Sequence, residues 1–121
     1  GVLYFQIKIT DKGPRIVEIA PRLDGCHIWR MIKCARNFDL IENTIRALLG
    51  EPADKPRNQL LDKEKYELMF YQIKPGEVFH ESDFTQPSDV LYKEFRYKDG
   101  QKVDPINGKL EVVGYYVRRY E

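Results

Sequence analysis

Gln6 and Glu18 lie in two short alternating runs and offer an amide oxygen and a carboxylate. A hard cation such as Mg²⁺ takes oxygen ligands of this kind and shares them with substrate phosphates. Arg22 follows Glu18 by four residues and carries a planar fork suited to a phosphoryl or carboxylate group. Asp24-Gly25 then stands at the entrance of a helical pattern, where exposed amides favour an anion. These residue types make up half of a phosphoryl-transfer site. Taken without context, they better describe a solvated strand face with one surface ion pair.

The elements around them decide whether they can meet. In Val2–Thr10, Leu3, Phe5, Ile7 and Ile9 alternate with Tyr4, Gln6, Lys8 and Thr10, the period of a half-buried strand. Asp11-Lys12-Gly13-Pro14 is turn chemistry. In Arg15–Ala20, Val17 and Ile19 fall on one side and Ile16, Glu18 and Ala20 on the other. A β-hairpin with one face toward a core is predicted, and a loop with an odd number of residues would put Gln6 directly opposite Glu18 on its other face.

Pro21 ends the second strand, and Ile28, Met31, Ile32 and Ala35 predict a helix over Gly25–Arg36. Asp24 either pairs with Arg22 or caps that helix, and capping is favoured. A second helix is signalled by Asp39 with Glu42 as a capping box, by the stripe Ile41, Ile45, Leu48 and Leu49, and by Gly50 as its stop. Glu51–Asn58 is a polar connector. Beyond it the pattern is antiparallel β: Tyr66–Lys74, a Pro75-Gly76 turn, Glu77–Glu81, a loop over Ser82–Asp89, Val90–Tyr97, and Lys109–Tyr120. Asp99-Gly100 and Asn107-Gly108 serve as hairpin dipeptides. The predicted class is α+β, with a hairpin and helices over 1–52, a connector over 53–65 and a β extension over 66–121.

At the hairpin the chain resembles the ATP-grasp superfamily. Tyr4-Phe5-Gln6-Ile7, a turn, and Ile16-Val17-Glu18-Ile19-Ala20-Pro21-Arg22 look like that family's last metal-binding hairpin, as in carbamoyl-phosphate synthase large subunits and related carboxylate ligases. Ile45-Arg46-Ala47-Leu48-Leu49-Gly50-Glu51-Pro52 is similar to its closing helical segment. The resemblance covers about residues 2–52. It implies Gln6 and Glu18 as Mg²⁺ ligands against ATP phosphates, Arg22 as the contact to phosphate or to an acyl phosphate, and Gly25 beside the nucleotide and acceptor. Ala20 stands where the family commonly has an Asn that completes a second metal site, and Ala cannot coordinate a metal. No G-x-G-x-x-G or G-K-[ST] pattern accompanies the hairpin. The implied function is therefore the C-terminal portion of a magnesium- and ATP-dependent carboxylate ligase that works through an acyl phosphate, with the isolated chain inactive. The abrupt entry into a strand after Gly1 carries the same expectation.

Composition narrows the alternatives. The 121 residues hold 20 Lys+Arg and 19 Asp+Glu, so a net charge of +1 gives no field for nucleic acid or an anionic membrane. No apolar run approaches the ~20 residues of a membrane span, and the use of two cysteines, Cys26 and Cys34, fits a cytoplasmic protein. Cys26-His27 with Cys34, and His80-Glu81-Ser82-Asp83, lack the ligand count and spacing of a metal site. The aromatics of Tyr66–Tyr71 and Phe95–Tyr120 read as sheet core rather than a base-stacking surface, and Trp29 lies off its helix's apolar stripe. The expected partners are ATP and a small carboxylate substrate, with a homodimer formed through the edge of the first strand. The competing class is a non-catalytic α+β interaction domain whose sheet binds a protein.

Overall fold

A computed structural model of the chain describes residues 2–55, 64–106 and 108–120. It has the expected α+β composition and divides into two compact units, 1–58 and 59–121. The connector reading over 56–63 and the Asn107 half of the second dipeptide lie outside the described residues.

The first unit opens with antiparallel strands β1 (Tyr4–Thr10) and β2 (Gly13–Ala20). Thr10 pairs with Gly13, so the loop is the two residues Asp11-Lys12 and not an odd number. Gly13 takes φ +89°, which costs a glycine little, and Thr10 Oγ1 donates to the Gly13 carbonyl at 2.8 Å. An even loop alone would set Glu18 against Phe5. Instead the register shifts between Gln6 and Ile7: Ile7 faces Ile16, Gln6 faces Glu18, and Val17 is the extra residue of a β-bulge. The bulge therefore supplies the parity expected of the loop. It also corrects the faces, because Ile16 joins Phe5, Ile7, Ile9 and Ile19 rather than sharing a side with Glu18.

Helix α1 spans Ile28–Arg36, three residues shorter at its start than predicted. His27 has φ 57° and cannot continue a right-handed helix, and Asp24 Oδ2 instead accepts from Cys26 N at 2.7 Å and Ile28 N at 3.3 Å. Asp24 thus does the capping, while Asn37 ends the helix in the left-handed region, with its N–H on the Lys33 carbonyl.

Helix α2 (Leu40–Leu48) begins as its sequence dictates. Asp39 Oδ1 accepts from Ile41 N and Glu42 N, both at 3.0 Å. Glu42 pairs with Arg46 at 2.6 Å. Buried Asn43 donates to the Asp39 carbonyl at 2.8 Å and accepts from Asp54 N at 2.6 Å, which ties the start of the connector to the helix. Lys33 Nζ lies 2.5 Å from Asp39 Oδ2, and this bond, with the amide at Glu42, holds the Asp39 carboxyl below the usual carboxylate range. A carboxylate depressed by folding contributes stability that is complete above its unfolded pKa of ~4 and lost as pH falls through the folded value. Asp39→Ala is expected to lower the urea-unfolding stability of this unit by about 1 kcal/mol at neutral pH. The difference from the parent protein should shrink in acid below that range.

The second unit is a three-stranded antiparallel sheet ordered β3-β5-β4, with β3 at Lys65–Ile73, β4 at Val90–Phe95 and β5 at Glu111–Tyr120. Central β5 is buried along most of its length. One prediction fails here. Glu77–Glu81 is not a strand: it makes a single bridge, Val78 to Lys102, then a 3₁₀ turn over Glu81–Asp83. Asp99-Gly100 turns the chain as expected and returns it along 76–79. Phe79 N donates to the Gln101 carbonyl and Gly100 N to the Phe79 carbonyl, both at 2.8 Å. This short loop pair places Phe79 in the core with Val103 and Val113, flanked by Tyr71, Phe84, Phe95 and Tyr97. Aromatic centroids there lie 4.9–5.9 Å apart for Tyr71–Phe84, Tyr71–Phe95, Phe79–Phe95 and Phe84–Phe95, the spacing of tilted and offset ring pairs. Tyr71, Phe95, Tyr97, Tyr115 and Tyr116 are in or against the sheet core, as the sequence indicated, while Tyr120 at the end of β5 is exposed.

Candidate functional site

The polar face of the hairpin carries Tyr4, Gln6, Lys8 and Thr10 on β1 and Arg15, Glu18 and Ala20 on β2. Cross-strand partners on one face hold their Cβ atoms about 5 Å apart. Gln6 and Glu18 therefore present two hard oxygen donors side by side, in water. The next pair toward the open end is Tyr4 with Ala20, so the strand position beyond Glu18 offers no donor.

Arg22 lies just past the strand and folds back over this face. Its Nη2 is 3.9 Å from Glu18 Oε1, its guanidinium carbon is 5.9 Å from the Tyr4 ring centroid, and Nη1 donates to the Leu23 carbonyl at 2.9 Å. The Glu18–Arg22 contact is long and both side chains are half exposed or more, a geometry worth no more than ~1 kcal/mol. Little is lost when either group turns to a better partner. The stacking on Tyr4 is a feature that sequence reasoning missed; Tyr4 stands two residues before Gln6 on the same face, and that period was its only signal.

Gly25 sits in the loop that Asp24 organises. Its φ is not in the left-handed range, and an added Cβ would meet nothing within 4 Å. Neither backbone conformation nor packing within the chain demands glycine there.

The other candidates do not assemble. Cys26 is exposed and Cys34 partly buried, and burial raises the Cys34 thiol against the opposing effect of Arg30 and Lys33. A raised thiol is a poor nucleophile. In the second unit His80 Nδ1 lies 3.3 Å from Asp99 Oδ2, while Asp99 Oδ1 accepts from Glu81 N and Glu81 pairs with Lys93. That cluster is a set of loop-bracing hydrogen bonds with one ion pair, Lys93–Glu81. Among the described residues no group of three or more His, Cys, Asp or Glu could hold a metal. The Gln6–Glu18 pair offers two donors. Trp29 carries Arg30 over its ring at 4.3 Å and borders an open groove of about 380 Å³ between the helices, where Lys33 and Arg46 alternate with Asp39 and Glu42.

Among the described residues no helix is long and apolar enough to cross a membrane. Family models, curated proteins and solved structures contain no match to this chain.

Proposed function

We propose that the hairpin is the metal-and-phosphate edge of a magnesium-dependent, ATP-using carboxylate ligase of ATP-grasp type, to which this chain contributes the C-terminal portion. The single observation that carries the reading is the Gln6–Glu18 register, obtained only because Val17 is bulged out of an even-looped hairpin. Bulges re-aim side chains and concentrate near functional sites.

The donor set fits one Mg²⁺. The ion needs oxygen ligands, keeps several waters and is usually held by one or two protein oxygens plus substrate phosphates. Gln6 and Glu18 would hold it, and when bound it would neutralise charge on the transferring phosphoryl group. A second ion finds no ligand at Ala20. Arg22 is the positioning cation: its weak hold on Glu18 lets the guanidinium engage a phosphate or acyl-phosphate oxygen in bidentate fashion. Asp24 fixes the loop, and the bare Gly25 backbone allows close approach of substrate. The adenine pocket and the phosphate loop are supplied from outside the 121 residues, so the isolated chain is inactive in ligation.

The test is turnover in the complete ligase carrying this segment. Glu18→Ala should sharply lower ATP-dependent acyl-phosphate formation; undiminished turnover refutes the assignment.

A second reading has one observation in its favour. Phe5, Ile7, Ile9, Ile16 and Ile19 leave an apolar hairpin face exposed, as an interaction domain would. Nucleotide-independent capture of a protein partner, lost on changing this face and indifferent to Glu18→Ala, would favour it over the ligase.

A further inference from the structure

We infer that the apolar face of the β1–β2 hairpin is a self-association surface, closed by the same face of a second copy of this chain. Phe5 pairs with Ile19, Ile7 with Ile16 and Ile9 with Pro14, and strand alternation adds Leu3 to the same side. These side chains, proline aside, are 46–78% exposed. Every position on the face is apolar; the charges of the hairpin, Lys8, Arg15 and Glu18, lie on the other one. Pairing the face with itself therefore buries no charge, and a two-fold interface needs only a surface complementary to itself.

The area argues for the same occupant. Six such residues at about half exposure give on the order of 100 Å² each. Two copies then bury roughly 1,200 Å² in all, at the lower bound of stable specific interfaces. A lone two-stranded hairpin is marginal in water and gains its stability from a packed face. Two twisted hairpins stacked face to face form a small sandwich and supply it. The outer edge of β2 is a poor contact, because it carries Pro14, which cannot donate, and the Val17 bulge, which disrupts further pairing. The interface inferred is the apolar face, and the β1 edge expected from sequence is the alternative that the intermolecular contacts distinguish. This inference does not rest on the ligase reading, since Gln6 and Glu18 point away from the contact.

The experiment is sedimentation equilibrium on the full 121-residue chain, with isotope-filtered NOE spectroscopy on a mixture of labelled and unlabelled chains. The expected result is a dimer with intermolecular contacts between the Phe5 ring and the Ile7 or Ile16 methyls. The cross-strand double variant Ile7→Lys/Ile16→Lys should weaken the dimer by at least about 100-fold, because it would bury unpaired ammonium groups. Lys8→Ser, on the opposite face, should leave it unchanged. A monomer at high micromolar concentration overturns the inference. So does a dimer whose intermolecular contacts map elsewhere, a result that needs no variant to fold, or one that survives the double lysine substitution. Loss of metal binding in Glu18→Ala with the dimer intact would leave this inference standing, and the converse would leave the ligase reading standing.

Discussion

Gly114→Ala is expected to destabilise the second unit by about 3–5 kcal/mol, among the largest effects a single methyl can have. Gly114 lies on the central strand between Tyr71 of β3 and Phe95 of β4. A Cβ there would stand 2.4 Å from Phe95 Cδ1 and 2.6 Å from the Glu94 carbonyl oxygen. The Phe95 ring is held by Tyr71 at 5.3 Å and Phe79 at 5.1 Å between centroids, and the carbonyl belongs to the neighbouring strand. Neither can yield without opening the β4–β5 ladder. A domain of this kind has only ~5–15 kcal/mol in total, so most of its margin would go. Urea unfolding followed by near-UV tyrosine dichroism reads the loss directly. A midpoint within error of the parent would mean that β4 does not sit as close to β5 as described.

Under the proposed ligase function, Glu18→Ala in the complete protein is expected to lower kcat for acyl-phosphate formation by on the order of 10²–10³, the usual cost of removing a preorganised electrostatic contact to the reacting group. The charge matters more than the bulk, so Glu18→Gln should recover only a small part. Gln6→Ala should cost less, because a neutral amide oxygen is the weaker ligand and water can replace it. Arg22→Lys keeps the charge but loses the planar fork, and should remain closer to Arg22→Ala than to the parent. The order Glu18 over Gln6, with Arg22→Lys failing to rescue, separates a metal-and-phosphate site from a solvated ion pair, in which all five variants would be silent. An effect of Gln6→Ala as large as that of Glu18→Ala would contradict the roles assigned.

How far the sequence announced all this follows from how local each cause is. The two strands and the Asp39 cap are local facts, and the structure keeps them. The core-facing side does not follow: the apolar face of the hairpin is exposed, because no helix or strand among the described residues of the unit packs on it, and the alternation of Arg15–Ala20 breaks at Val17. The bulge at Val17 is not local. A period-two pattern says which residues share a strand face only while the ladder is unbroken, and one extra residue inverts the assignment downstream. An odd loop predicts the Gln6–Glu18 register, and the even loop with a bulge produces the same pairing. Gly25 to His27 carried helix-compatible neighbours, but the Asp24 side chain satisfies the amides that helical turns would have used. The sheet unit was legible as antiparallel β, yet Glu77–Glu81 has the composition of a strand and serves as a loop that delivers Phe79 into the core. Which buried aromatic comes from a strand and which from a loop is settled by packing against partners far along the chain, here Val103 and Val113. Gly114 likewise looks unremarkable in sequence; only the approach of Phe95 explains it.

The most direct measurement of the central claim is paramagnetic line broadening of this chain by Mn²⁺ in the presence of ATP, read residue by residue in a ¹H–¹⁵N spectrum. Mn²⁺ accepts the same oxygen ligands as Mg²⁺ and reports its own position. Weak binding is expected, with broadening that centres on the amides around Gln6 and Glu18, reaches Arg22, and vanishes in Glu18→Ala. Broadening centred elsewhere, for instance on the Glu81 and Asp99 loops of the second unit, or a pattern unchanged in Glu18→Ala, would contradict it.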